Sequence, residues 1–202
     1  EHRSMIFDEV RNRCYAAALK QLVNPQSIVL DLGSGLGLHG LLAAALGAKQ
    51  VYLVDPSPVT QIARKIVNSN GLSDRVSCIQ KPIGQAHLPQ KVDIIVSVFT
   101  GNFLLQEDLL PALFLARDRF LKPSGVMLPD SAEMHIVPVS AAELFEENIA
   151  CWTQSSQGIN FSCAASLAAN QVYASRGELS AADFLPEPQK VMSLDFNTAG
   201  EA

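Results

Sequence analysis

The chain has 202 residues, with 15 Lys plus Arg against 20 Asp plus Glu, and so a formal net charge of −5. That balance excludes a protein that grips nucleic acid phosphates or an anionic membrane by bulk charge. Hydrophobic residues make up 48% and charged ones 17%, which excludes intrinsic disorder and points to apolar surface meant for a partner or for further chain.

The first half alternates strand-like and helix-like runs. Ser27 to Leu32 is β-branched and Leu-rich and runs into glycines, as a buried parallel strand should. Leu38 to Leu46 is Ala/Leu-rich and stops at Gly47, a helix with a glycine cap. A strand over Gln50 to Val54, a helix over Pro58 to Ser69, and strands over Val76 to Gln80 and Val92 to Val96 follow. A long helix is then expected from about Gln106 to Phe120, and a turn at Lys122 to Gly125 leads into a strand at Val126 to Leu128. Strands separated by helices imply right-handed crossovers, hence a doubly wound α/β domain with a parallel sheet. Beyond Pro129 the pattern changes: Glu133 to Val139 alternates as a strand with one wet face, Ser140 to Trp152 reads as a helix, and Lys190 to Phe196 as a last strand. The expected division is therefore 1–130 and 131–202, the second part being an unfinished β-rich region.

Cys14, Cys78, Cys151 and Cys163 are widely spaced and form no C-x-x-C pair. They read as reduced, partly buried thiols of a cytoplasmic protein, with no metal site. No signal peptide precedes Met5, and no apolar run reaches the length of a membrane span.

The informative unit is Val29-Leu30-Asp31-Leu32-Gly33-Ser34-Gly35-Leu36-Gly37, a strand entering a glycine-rich turn. Such glycines let a ligand touch the backbone while the next helix presents free N–H groups. Asp55, at the end of the second strand, suits a ribose diol. A dinucleotide site wants glycine or alanine where Leu38 stands, which counts against a nicotinamide-dependent dehydrogenase. Asp31 two residues before Gly33 is instead the pattern of a methyl-donor site, so the ligand expected is S-adenosyl-L-methionine.

From His2 to about Phe196 the chain resembles the protein arginine methyltransferases, class I enzymes with a Rossmann-like fold. The resemblance rests on His2, Met5, Asp8 to Arg11 and Tyr15, on the glycine loop, and on Val92 to Ser97. It extends through Gly101, Leu104-Leu105, Glu107, Ala116 to Arg119, Leu121-Lys122-Pro123 and Leu128-Pro129 to Trp152, Gly158 and Glu187-Pro188-Gln189, which look like the entry into a C-terminal β-barrel. It implies an N-terminal helix folded over the cofactor, with Met5 beside it and Arg11 paired with the methionine carboxylate. It places Asp31 near the methionine amino group, Gly33, Gly35 and Gly37 along the loop, Asp55 on the ribose, and Ile83 and Gly84 at the adenine. Glu107 becomes the catalytic carboxylate that orients the acceptor. A protein or peptide substrate, and a possible homodimer of the full-length protein, are implied as well.

Two positions depart from the resemblance. The family carries glutamates where Val98 and Glu107 stand, a pair that clamps the substrate guanidinium, and here the first is valine. The family's adenine-binding glutamate is Gly84. These departures motivate an alternative, a degenerate methyltransferase-fold domain that acts as a cofactor-binding or interaction module. His39, His87 and His135 are expected on helix or strand surfaces.

Overall fold

The computed structural model of the chain describes residues 2–99, 104–105, 107–173 and 183–200. Gly101, and the Thr100 and Asn102 beside it, lie outside the described residues, as does the side chain of His2.

Two helices open the chain, α1 (His2–Ile6) and α2 (Glu9–Leu22). The N-terminal helix expected from the sequence is thus broken at Phe7-Asp8, because the Asp8 side chain accepts the Arg11 N–H at 3.1 Å and starts α2 afresh. Asn12 of α2 donates to the carbonyls of Met5 (3.1 Å) and Ile6 (2.8 Å), satisfying the end of α1 and fixing it on α2.

The central sheet is built from β1 (Ile28–Leu32), β2 (Gln50–Val54), β3 (Val76–Ile79), β4 (Val92–Ser97) and β5 (Leu121–Leu128) in the order β3-β2-β1-β4-β5. All four pairings are parallel. Every residue of β1 is buried, as a central parallel strand covered on both faces requires. Val29, Val51, Leu53, Ile94 and Val96 point to one face, against Leu19 of α2, Ala43 and Ala44 of α3 (Leu38–Ala45), and Ala63 and Val67 of α4 (Thr60–Ser69). On the other face, α5 (Leu110–Phe120) packs against β4 and β5 and buries Leu113, Phe114 and Phe120. The strand order reverses between β1 and β4, the switch point at which such sheets bind ligands beyond their carboxyl ends.

The start of α5 and the course of β5 differ from the sequence expectation. The helix expected from Gln106 begins at Leu110, since Pro111 has no N–H to give the carbonyl of residue 107, and Asp108 sits at φ +50. The expected turn at Lys122 to Gly125 lies within β5 as an excursion from the ladder: Leu121 pairs with Val92, and pairing resumes with Val126 opposite Ile94.

The chain forms two compact units, one of Glu1–Met134 with Ser193–Ala202, the other His135–Met192. It passes out of the first along β6 (Ser131–Ile136) and returns along β9 (Gln189–Asp195), the two strands of a second sheet. In the first unit, Arg117 of α5 donates to the Phe196 carbonyl at 2.8 Å. In the second, α6 (Ala142–Asn148) is shorter than the expected 140–152 helix, because Ile149 leaves helical geometry and a 3-10 turn over Ala150–Thr153 replaces it. A small hairpin joins β7 (Ser155–Ser156) and β8 (Ile159–Asn160) through Gln157 and Gly158, both at positive φ. A short helix, α7 (Ala165–Ala168), follows. Cys14, Cys151 and Cys163 are exposed rather than partly buried; only Cys78 is half-buried. Among the described residues, no helix is long and apolar enough to cross a membrane.

Candidate functional site

At the end of β1 the backbone turns sharply. Gly33 takes φ +67, which favours glycine, and its N–H donates to the Val54 carbonyl at 2.8 Å. The Gly35 N–H then donates to Oδ2 of Asp55 at 2.9 Å, while Oδ1 of Asp55 accepts from the Ser57 N–H at 2.8 Å. Asp55 therefore ties the glycine loop to the end of β2, and each of its oxygens keeps lone-pair capacity for a further donor.

Asp31 lies on β1, 3% exposed, and its Oδ2 accepts the Gly40 N–H at 2.8 Å. Burial pushes its carboxyl up to about 7, against the opposing Gly40 bond and with a further push from the Asp55 charge. His39, in the first turn of α3, is 7% exposed and its ring lies 4.5 Å from that of Tyr15, tilted by 38°. Burial, helped by the Arg11 charge, lowers His39 to about 4, so the imidazole is neutral at pH 7. Tyr15 in turn donates its hydroxyl to the Ser97 carbonyl at 2.8 Å, fastening α2 to the end of β4. Desolvation raises its phenol to about 12, with Arg11 opposing and Asp31 adding.

Arg11 reaches back from α2 with Nη2 on the Met5 carbonyl at 2.8 Å and 3.6 Å from Asp8. Its Nε is buried and has no partner, and the same holds for Ser34 Oγ and His39 Nε2. All three residues line one cavity of about 100 Å³, together with Met5, Asp31 and Asp55. Buried polar atoms without partners are rare and costly in a folded protein, and three of the residues that carry them border this cavity. A second cavity, about 380 Å³ and mostly apolar, is lined by Val54, Pro56, Ile83, Phe99 and Leu115 among others. Gly33 lines both.

The arrangement suits a ligand with a zwitterionic end and a flat apolar end. Arg11 offers positive charge and Asp31 negative charge to the first, and the mostly apolar second cavity, with the Phe99 ring in its wall, suits a flat base.

Of the residues singled out in the sequence, Met5, Arg11, Asp31, Gly33, Gly35 and Asp55 meet at the first cavity, and Ile83 and Gly84 line the second. Gly37 does not line either. It is buried at φ +86, and a Cβ there would stand 2.7 Å from Leu53 Cδ1, so glycine lets α3 start against the core. Glu107 is exposed and lines neither cavity. Val98 forms part of the first cavity's wall. His39 is the main correction, since it was expected on a surface, whereas His87 and His135 are exposed. Its position two residues after Gly37, within the first helical turn beside the glycine loop, was the available signal.

Residues 29–125 match the family model described as a methyltransferase domain. The chain is 34% identical over 205 aligned positions to protein arginine N-methyltransferase 6 of Xenopus tropicalis, covering 97% of this chain and 59% of that protein. It is 42% identical over 156 positions to protein arginine N-methyltransferase 1 of Schizosaccharomyces pombe, covering 75% of this chain and 45% of that protein. The chain thus spans about half the length of these relatives. Among solved structures, the Trypanosoma brucei PRMT1 enzyme-prozyme heterotetrameric complex with AdoHcy superposes with a TM-score of 0.89 at 33% identity, over 99% of this chain and 63% of the other.

Proposed function

Taking the chain as a class I methyltransferase domain of the protein arginine N-methyltransferase type, we propose that it binds S-adenosylmethionine and transfers the methyl group to a nitrogen of a protein side chain. The observation that carries this reading is the meeting of Arg11, Ser34 and His39, each with a buried polar atom that lacks a partner, with Asp31 and Asp55 around one small cavity beside an apolar one. When bound, S-adenosylmethionine supplies a methyl already activated on a sulfonium, so the protein's task is chiefly positioning.

In this reading Asp31 receives the ammonium of the methionine end and Arg11 its carboxylate, as a guanidinium fork suits. Asp55 accepts from the ribose while holding Gly35 in place. Ile83, Phe99 and Leu115 enclose the base, with recognition through packing and backbone, since Gly84 offers no side chain. The family resemblance gives Glu107, which lines neither cavity, the task of orienting the acceptor nitrogen from the segment preceding α5, and the substrate is a protein or peptide.

Val98 supports a second reading, a methyltransferase-fold module that holds the donor without methylating arginine, because the cavity wall there is apolar. Calorimetric titration with S-adenosylmethionine and S-adenosylhomocysteine, followed by radiolabelled methyl transfer to peptides, separates the two. Binding with transfer supports the enzyme and binding without transfer supports the module. No heat at millimolar ligand sinks both.

We further propose that 1–130 is the cofactor domain, that 131–202, apart from the Ser193–Ala202 stretch grouped with the first compact unit, begins a β-rich substrate region, and that the full-length protein assembles as a homodimer in the cytoplasm. The relatives' greater length supports the second point and the unpaired cysteines the last.

A further inference from the structure

We propose that His39 is a ligand-binding residue of the methyl-donor site, its imidazole N–H donating to the carboxylate at the amino-acid end of the donor alongside Arg11. The inference rests on the methyl-donor reading above and goes beyond it, because no motif assigns a role to this position.

His39 is buried and its Nε2 has no partner, and the residue lines the same cavity as Arg11, whose Nε is equally partnerless. An orphaned ring nitrogen is a standing penalty in such a place. A ligand oxygen in the cavity removes the penalty. Among the ligand's charged ends, the carboxylate is the one that accepts from both nitrogens. Asp31, already holding the Gly40 N–H, is the counter-charge for the ammonium. The Tyr15 ring, tilted by 38° with its centroid 4.5 Å away and anchored by its own hydroxyl to Ser97, sets the orientation of the imidazole. Tyr15 is a positioning residue in this scheme and His39 the contact.

The test compares two probes, S-adenosylhomocysteine and 5′-deoxy-5′-(3-aminopropylthio)adenosine, which keeps the base, ribose and amine but lacks the carboxylate. Two variants are titrated calorimetrically beside the unsubstituted chain: His39→Phe, which retains a ring over Tyr15, and His39→Leu, which is apolar and compact. Each is expected to bind S-adenosylhomocysteine roughly tenfold to a hundredfold more weakly, the loss of a hydrogen bond to a charged group. Each is expected to bind the carboxylate-free probe within about twofold of the unsubstituted chain. Equal weakening toward both probes, in both variants, would assign His39 a structural role and overturn the proposal, as would undiminished affinity for S-adenosylhomocysteine. An unsubstituted chain that binds neither probe would overturn the methyl-donor reading itself, and this inference with it.

Discussion

Asp31 and Gly40 are locked together: the Gly40 N–H donates to Oδ2 of Asp31 at 2.8 Å, and a Cβ on Gly40 would stand 3.0 Å from that same oxygen. The same Cβ would also collide with Cδ2 of Leu53, on β2. The first turn of α3 can therefore approach the strand ends only because residue 40 has no side chain.

Gly40→Ala accordingly forces α3 away from β1. The expected cost is about 1–3 kcal/mol of folding stability, as for overpacking elsewhere. Donor affinity should fall with it, since the shift moves both Asp31 and His39. Urea unfolding and calorimetric titration check the two effects, and an unchanged midpoint would show that Leu53 yields freely.

The pH dependence follows from Asp31. Its carboxyl, ordinarily at 3.8, is raised to about 7 in the folded chain. Between about pH 4 and 7 the unfolded chain has released this proton while the folded chain keeps it, so the Asp31 contribution to stability falls as pH rises through that window and levels off above it. Binding a cationic amino group requires the ionised form, so donor affinity should climb by about tenfold per unit up to pH 7 and then flatten. In Asp31→Asn both dependences should vanish and affinity should be low throughout. Titrations from pH 5.5 to 8.5 decide it, a flat profile in the unsubstituted chain being the contrary result.

Asp55 has two structural bonds to lose as well as its ribose contact. Asp55→Ala leaves the N–H groups of Gly35 and Ser57 without their acceptor and loosens the glycine loop. Donor affinity should drop by roughly tenfold or more. Calorimetry measures it, and an unaffected dissociation constant would mean the ribose lies elsewhere.

Much of this site could be read from the sequence, and the exceptions have physical causes. β2 occupies Gln50–Val54 as expected, because a short apolar run bounded by polar residues leaves little freedom in placing a buried strand. Asp31, Gly33, Gly35 and Asp55 were legible because the strand-turn-helix pattern fixes where they stand relative to the sheet's carboxyl edge. Gly37 lines neither cavity, a difference that spacing alone does not reveal, since it does not separate a glycine facing a cavity from one pressed on Leu53. His39 was missed because its burial arises from Tyr15 and Arg11, brought over it by a helix from the start of the chain. The start of α5 was misplaced because apolar residues continue upstream of Pro111, where the backbone no longer supports a helix.

Val98 offers the sharpest test of the acceptor. The residue lines the first cavity at the end of β4, next to Ser97, where the family resemblance calls for a carboxylate. Val98→Glu adds negative charge to a cavity already holding Asp31 and Asp55, with Arg11 as its cation. Without substrate the variant should be less stable, by about 1–3 kcal/mol, because a carboxylate is desolvated without a full partner. With a guanidinium bound, the same carboxylate gains a charge-assisted bond worth about 1.5–3 kcal/mol, so arginine-peptide binding should tighten by roughly ten- to a hundredfold. Methyl transfer to such peptides should rise in step, read as radiolabel incorporation. Thermal melts in the presence and absence of peptide separate the stability loss from the binding gain. A variant that folds, binds the donor and stays inert toward arginine peptides would show that the valine is not what limits arginine chemistry, and would turn attention to the exposed placement of Glu107.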